Sequence, residues 1–240
     1  MTLHLYATDH GHALALKFAT LLQASSMSVL ESPWVVTTST AMRSRLDWDL
    51  ASPELAKLSP SLRRVSSNIT SFFPEQLVSH VEGLALEARG LTRIDWRLET
   101  IALALIQESS GSLSWNEATV IAGQLDEFVR WRSDADVPEV LERAKGLMNS
   151  QLWRTSGPLA QRQCAVEAIS KGEVALPSDI YIVGMTMAPG GRSFIDLLLA
   201  LGEVVNVHVL LSLPSLSLLD SSSDTDDGSI GAVSWARDAK

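Results

Sequence analysis

The segment from Ser178 to Pro214, SDIYIVGMTMAPGGRSFIDLLLALGEVVNVHVLLSLP, constrains the fold more than any other part of the chain. Ile180-Tyr181-Ile182-Val183 is a short continuous apolar run with β-branched residues, the pattern of a strand buried on both faces. Gly184 ends that run, and Pro189-Gly190-Gly191 predicts a loop. From Arg192 to Leu201, residues Phe194, Ile195, Leu197, Leu198 and Leu201 recur at helical spacing. Gly202 stands where a C-cap glycine is expected, and Val204 to Leu211 predicts a second apolar strand closed by Pro214. Strand, helix and strand within that length form a βαβ unit, which requires a parallel sheet with helices packed on it. Ligands of such sheets sit at the carboxyl ends of the strands, so the residues just after Val183 are the place to look for chemistry. Gly184-Met185-Thr186-Met187-Ala188-Pro189 follows there, with no carboxylate to hold a magnesium ion.

A second strand-to-helix junction lies at the start. Leu3-His4-Leu5-Tyr6 predicts a strand, Ala7-Thr8-Asp9-His10-Gly11 a tight loop, and His12 to Leu22 an amphipathic helix through Leu14, Ala15, Phe18, Leu21 and Leu22. A phosphate-binding loop in that setting needs several glycines and a Lys with Ser/Thr opening the helix. This loop has one glycine, and Lys17 lies well inside the helix. The frame of a nucleotide site is expected here without its chemistry.

Between these junctions, Trp34 to Thr38 predicts a strand, with Ser39-Thr40 capping a helix from Ala41 to Leu50. Ser52 to Ser67 is a polar, proline-punctuated connection. Ile69 to Phe73 is a short apolar run, and Phe73-Pro74-Glu75 opens a helix through Val81. Helical periodicity fills Leu84 to Ile169, with one stripe through Trp96, Leu98, Ile101, Leu105 and Ile106 and another through Ile121, Leu125, Phe128 and Val129. A further helix starts at Val137-Pro138 and runs through Met148. The expected organisation is an α/β domain begun over 1–83, a helical insertion over 84–170, a return to the sheet over 171–214, and a flexible loop over 215–240, where Ser, Asp and Gly dominate. The frame reads as the first part of a longer subunit.

Composition narrows the function classes. With 46% hydrophobic and 20% charged residues the chain is globular in character. The Met-Thr-Leu-His start lacks a secretory pattern, and the longest apolar run, Ile195 to Leu201, is broken by Asp196 and too short for a bilayer. Cys164 is the single cysteine, which removes internal disulfides and favours the cytoplasm, with no membrane partner. A net charge of -9 argues against nucleic-acid binding by bulk electrostatics but leaves room for a local basic lining.

Several stretches taken together resemble the amino-terminal part of the RecC family, the gamma subunit of exodeoxyribonuclease V. They are LHLY at Leu3–Tyr6, VVTTSTAMRSRL at Val35–Leu46, NITSFFPEQL at Asn68–Leu77, Asp95-Trp96-Arg97-Leu98, Leu125 to Arg132, and Leu152-Trp153-Arg154. LPSDIYIVGMTMAP followed by VVNVHVLLSLP is the most specific of them. The resemblance implies a helicase-like superfamily 1 fold, of P-loop type, with decayed nucleotide motifs. It implies work beside a beta subunit (RecB-like) and an alpha subunit (RecD-like), which use ATP and magnesium, whereas this chain holds no cofactor and no catalytic residue. Such a subunit guides single strands at duplex DNA ends and reads the Chi hotspot in double-strand break repair.

Carried over by position, the resemblance points to Thr38, Thr40, Ser44, Phe73, Asp126 and Arg132 as DNA-binding residues. Hydroxyls bond base edges, an aromatic ring stacks on an unpaired base, and Arg does either. At Thr38 and Ser44 this chain has short hydroxyls where the best-known members carry longer amides. Each residue also has a plainer role open to it: Thr40 as a helix cap, Phe73 as core, Asp126 and Arg132 as a structural ion pair. A degenerate ATPase that still binds nucleotide, and a scaffold without a DNA role, stand as alternatives. Among weaker signals, His10-x-His12 lacks further metal ligands at suitable spacing. Gly190-Gly191-Arg192 at a helix start leaves a phosphate site open, with a plain loop as the simpler reading. Arg63-Arg64 reads as a solvated loop, and Trp96, Trp131 and Trp153 as packing. No G-x-S-x-G elbow is present.

Overall fold

Strands far apart in sequence come together side by side in a computed structural model, which describes residues 2–8, 11–25, 32–53, 69–131, 139–185, 191–212 and 232–234. The chain forms two compact units, one of Met1–Leu77, Ala175–Pro189 and Leu198–Lys240, the other of Val78–Val174 and Gly190–Leu197. Among the described residues no helix is long and apolar enough to cross a membrane.

The first unit is α/β. In chain order its frame is β1 (Leu3–Thr8), α1 (Gly11–Ala24), β2 (Trp34–Thr37), α2 (Thr40–Leu50) and β3 (Thr70–Phe72). After the opening of α3 (Pro74–Ala88) and the helical unit, the chain returns through β4 (Asp179–Met185), the part from Leu198 of a helix over Gly191–Val204, β5 (Asn206–Ser212) and β6 (Ala232–Ser234). Strand order is β3-β2-β4-β5-β1-β6, with the first five mutually parallel and β6 antiparallel to β1. Every residue of β4 is buried, as its unbroken apolar run requires of a central parallel strand. Successive side chains point to opposite faces. Tyr181 and Val183 therefore join Tyr6, Val35 and Leu210 under Phe18, Leu14 and Leu22 of α1 and Leu46 and Leu50 of α2.

Three expectations change here. Gly184 does not end its strand: β4 continues to Met185 past a bulge, with Gly184 at φ 78 and the pairing with β5 shifted between Val183 and Met185. That backbone conformation is open to glycine and strained for other residues. Gly202 is no C-cap either, because its helix runs on to Val204. A side chain at Gly202 would bring its Cβ within 3.3 Å of Leu3 Cβ, so the glycine there serves close packing against β1. The segment 215–240 is not loop throughout, since Ala232–Ser234 pair with Tyr6, Leu5 and His4. Hydrogen bonds of an otherwise open edge at β1 reward this pairing.

The second unit is helical. It takes the rest of α3, then α4 (Leu98–Glu108), α5 (Trp115–Trp131), a 3-10 helix (Glu139–Ala144), α6 (Lys145–Asn149), α7 (Gln151–Ser156) and α8 (Pro158–Ser170); the helix of the βαβ unit is α9. The stripes of α4 and α5 meet in one core with Ile101, Leu105, Ile121, Leu125, Phe128, Leu141, Leu147 and Trp153. Trp96 packs edge-on against Trp153 at 5.0 Å and donates its indole N–H to the Ser156 carbonyl. Glu82 of α3 is buried and is held by Arg162 of α8 and by Arg93. Arg89 bonds Glu173 and Glu167 and reaches the Cys164 sulfur.

Candidate nucleic-acid interface

In an open parallel sheet, ligands collect where the connections leaving two adjacent strands run in opposite directions. β2 continues through α2 to β3, whereas β4 continues through α9 to β5 on its other side. The gap between the carboxyl ends of β2 and β4 is therefore the crevice that the topology provides. Thr37 and Val183 are aligned across it.

Side chains of this chain fill that crevice at its floor. The Thr38 hydroxyl donates to the Gly184 carbonyl at 3.3 Å. Met42, in the first turn of α2, lies over Gly184 so closely that a Cβ there would fall 2.8 Å from its sulfur. The bulge at Gly184, the methionine above it and the threonine bond beside it form one interlocked corner.

Four of the six expected contact residues lie on the segments that follow β2 and β3. Thr38 is exposed just after β2, and Thr40 and Ser44 are exposed on α2. Phe73 follows β3, which is paired in register with β2 (Val36 opposite Phe72), and its ring is half-buried rather than core. Its backbone N–H donates to the Gln76 side chain and its carbonyl accepts from Leu77, so Phe73 occupies the cap position of α3, with Pro74 next. Ser39 caps α2, its hydroxyl accepting from Met42 N–H at 3.1 Å, which leaves the Thr40 hydroxyl free of that duty.

The remaining two belong to the helical unit. Asp126 on α5 pairs with Arg130 one turn on, at 3.0 Å. Arg132 lies outside the described residues, as do Arg63-Arg64, His10, Gly190, the stretch from Thr186 to Pro189 and the Val137-Pro138 helix start.

At the opposite, amino-terminal end of β4 is a polar network that sequence reasoning missed. The buried Asp179 carboxylate accepts from Ser25 (2.8 Å), Ser178 (2.9 Å), Asn206 (3.3 Å) and His208 Nε2 (3.2 Å). Burial pushes this carboxyl up, but the bonds from Ser25, His208, Ser178 and Asn206 outweigh it and hold it below its ordinary value. His208 is pushed down, chiefly by burial, so its ring is neutral at neutral pH. Because an ionised carboxylate only accepts, Nε2 carries the ring proton. His208 stacks between His4 (5.0 Å) and Tyr181 (4.9 Å), its register partners on β1 and β5's other neighbour, β4. Lys17 lies over the Tyr6 ring in the same layer. The usable signal was a polar residue next to one apolar run, Asp179, and one inside the other, His208, since a buried polar group demands a partner.

No group of His, Cys, Asp and Glu suited to a metal ion is present among the described residues. Neither a family model nor a curated protein matches this chain.

Proposed function

We propose that this chain is a non-catalytic, DNA-handling piece of a RecBCD-type helicase–nuclease complex. On this reading the sheet is a superfamily 1 helicase-like frame that has exchanged nucleotide chemistry for strand guidance. Beta and alpha subunits use ATP and magnesium, and this subunit steers the unwound strands and reads the hotspot in the emerging single strand.

One observation carries the proposal beyond the sequence resemblance. Thr38 and Thr40 follow β2 at the edge of the crevice where such sheets bind ligands, Ser44 lies one turn further along α2, and Phe73 follows β3, the neighbour of β2 on its other side. Packing of Met42 on Gly184 at that crevice suits a surface that presents hydroxyls and a ring to an unpaired strand.

Co-expression of the complete reading frame with neighbouring large genes, followed by affinity purification, tests the reading. A stoichiometric complex with ATP-dependent nuclease activity on linear duplex is expected. A chain that purifies without partners and without affinity for DNA would overturn it.

A further inference from the structure

Helix α2 presents an outer face whose centre is an indole. Trp48 is 80% exposed, the most exposed large apolar side chain among the described residues. Leu46 and Leu50, two residues to either side of it, are buried. At about 100° per residue each lies roughly 200° around the helix from Trp48, so the indole points straight away from the core. Four-residue steps from Trp48 lead back along the same face to Ser44 and Thr40. Both hydroxyls are exposed. The helix thus carries two hydroxyls and a bare ring in one line that starts beside the β2–β4 crevice.

The surroundings of that line favour a planar, anionic-backboned ligand over a protein. Protein-binding patches need an extended apolar centre within roughly 800 Å² per partner. Here the outer face has a single large apolar side chain, beside the small Ala41, amid Thr40, Ser44, Arg45 and Asp47. Arg43 is exposed and has no ion-pair partner among the described residues, whereas Arg45 is tied to Asp49 at 3.6 Å. Arg43 lies next to Thr40 but about 140° around the helix from Trp48, so it flanks the amino-terminal end of the line rather than joining it.

We infer that Trp48 is a stacking platform for an unpaired base of the strand that Thr40 and Ser44 contact. This inference rests on the DNA-handling reading above. It adds a specificity-neutral anchor, because every base offers a π-face whatever its hydrogen-bonding edge.

The test uses the full chain and fluorescein-labelled oligo(dT) at low salt, read by anisotropy, with W48A, W48F and W48L. Wild type binds; W48A and W48L lose affinity roughly five- to hundred-fold, while W48F stays within about threefold, because Phe stacks and Leu does not. Unchanged thermal unfolding of all three variants shows the loss to be local. Wild-type binding with an unaltered W48A would overturn the platform and leave the DNA-handling reading standing. A W48A chain that keeps oligo(dT) but drops out of the purified complex would overturn it in favour of a protein-docking role. No wild-type binding to oligo(dT), free or in the complex, would remove both.

Discussion

His208 Nε2 donates to Asp179 Oδ1 at 3.2 Å, a buried bond that joins the middle of β5 to the first residue of β4. Three further donors converge on the same carboxylate, so the sheet is fastened at its amino-terminal end by one anion. The crevice lies at the opposite ends of these strands, which separates the fastening from the surface proposed to handle DNA.

Acidification should loosen this fastening in two stages. The folded His208 is depressed below its ordinary 6.5, so as pH falls through 6.5 the unfolded chain takes up a proton that the folded chain resists. Stability therefore drops on descending from about pH 7, by at most about 1.4 kcal/mol per pH unit for this one group. Asp179 is depressed below its ordinary 3.8, so its contribution is full above that value and is lost as pH falls further. Urea unfolding at stepped pH checks this. The variant H208Q keeps a donor and removes the titration, and its upper stage should flatten; a wild-type slope in H208Q would assign the effect elsewhere.

Ser39 and Thr40 should separate cleanly. S39A removes the oxygen that accepts from Met42 N–H and should lower stability by about 1 kcal/mol. T40A should leave stability within about 0.5 kcal/mol of wild type, since its hydroxyl is exposed. Thermal melts of both variants decide the matter, and equal losses would contradict the capping assignment. A stability-neutral T40A also makes any loss of strand crosslinking in that variant attributable to contact.

Gly184 should tolerate no side chain. G184A incurs about 1–2 kcal/mol for a left-handed backbone, plus the displacement of Met42. In a double-mutant cycle, M42A should relieve the steric part and leave the backbone part, giving a coupling of about 0.5–3 kcal/mol. Strict additivity would show that the methionine does not sit over the glycine.

Trp153 should be the costliest single truncation in the helical unit. It is buried, packs edge-on against Trp96 and lies in the core with Leu125 and Leu147. W153A should destabilise by about 3–5 kcal/mol and reduce the near-ultraviolet dichroism of the packed indole pair. W48A, by contrast, should leave that signal intact.

What could be read from the chain and what could not divide along physical lines. β4, β5 and the stripe of α5 were legible because burial on both faces, or along one, imposes a pattern on consecutive residues. The pairing of Asp179 with His208 was not, since it depends on which strands become neighbours. Gly184 and Gly202 were misread as terminators for a related reason. A glycine that ends an element and one that admits a neighbour look alike until that neighbour, Met42 or Leu3, is known. Helix α2 buries only Leu46 and Leu50 fully, so its sequence has too little periodicity to mark Trp48 as outward-facing.

The order β3-β2-β4-β5-β1-β6 also dictates when the sheet can exist. Among the described residues β1 pairs with β5 and β6 and with no other strand, so it lacks these partners until Val207 to Ser212 have been synthesised. β2 and β3 pair with each other early, but neither touches β1. During translation the helical unit, built from contacts between successive helices, is free to fold while Leu3 to Thr8 wait with both edges open. The chain's exposure to misassembly is thus longest at its first strand, and it ends when the last strand of the βαβ unit slides in beside it.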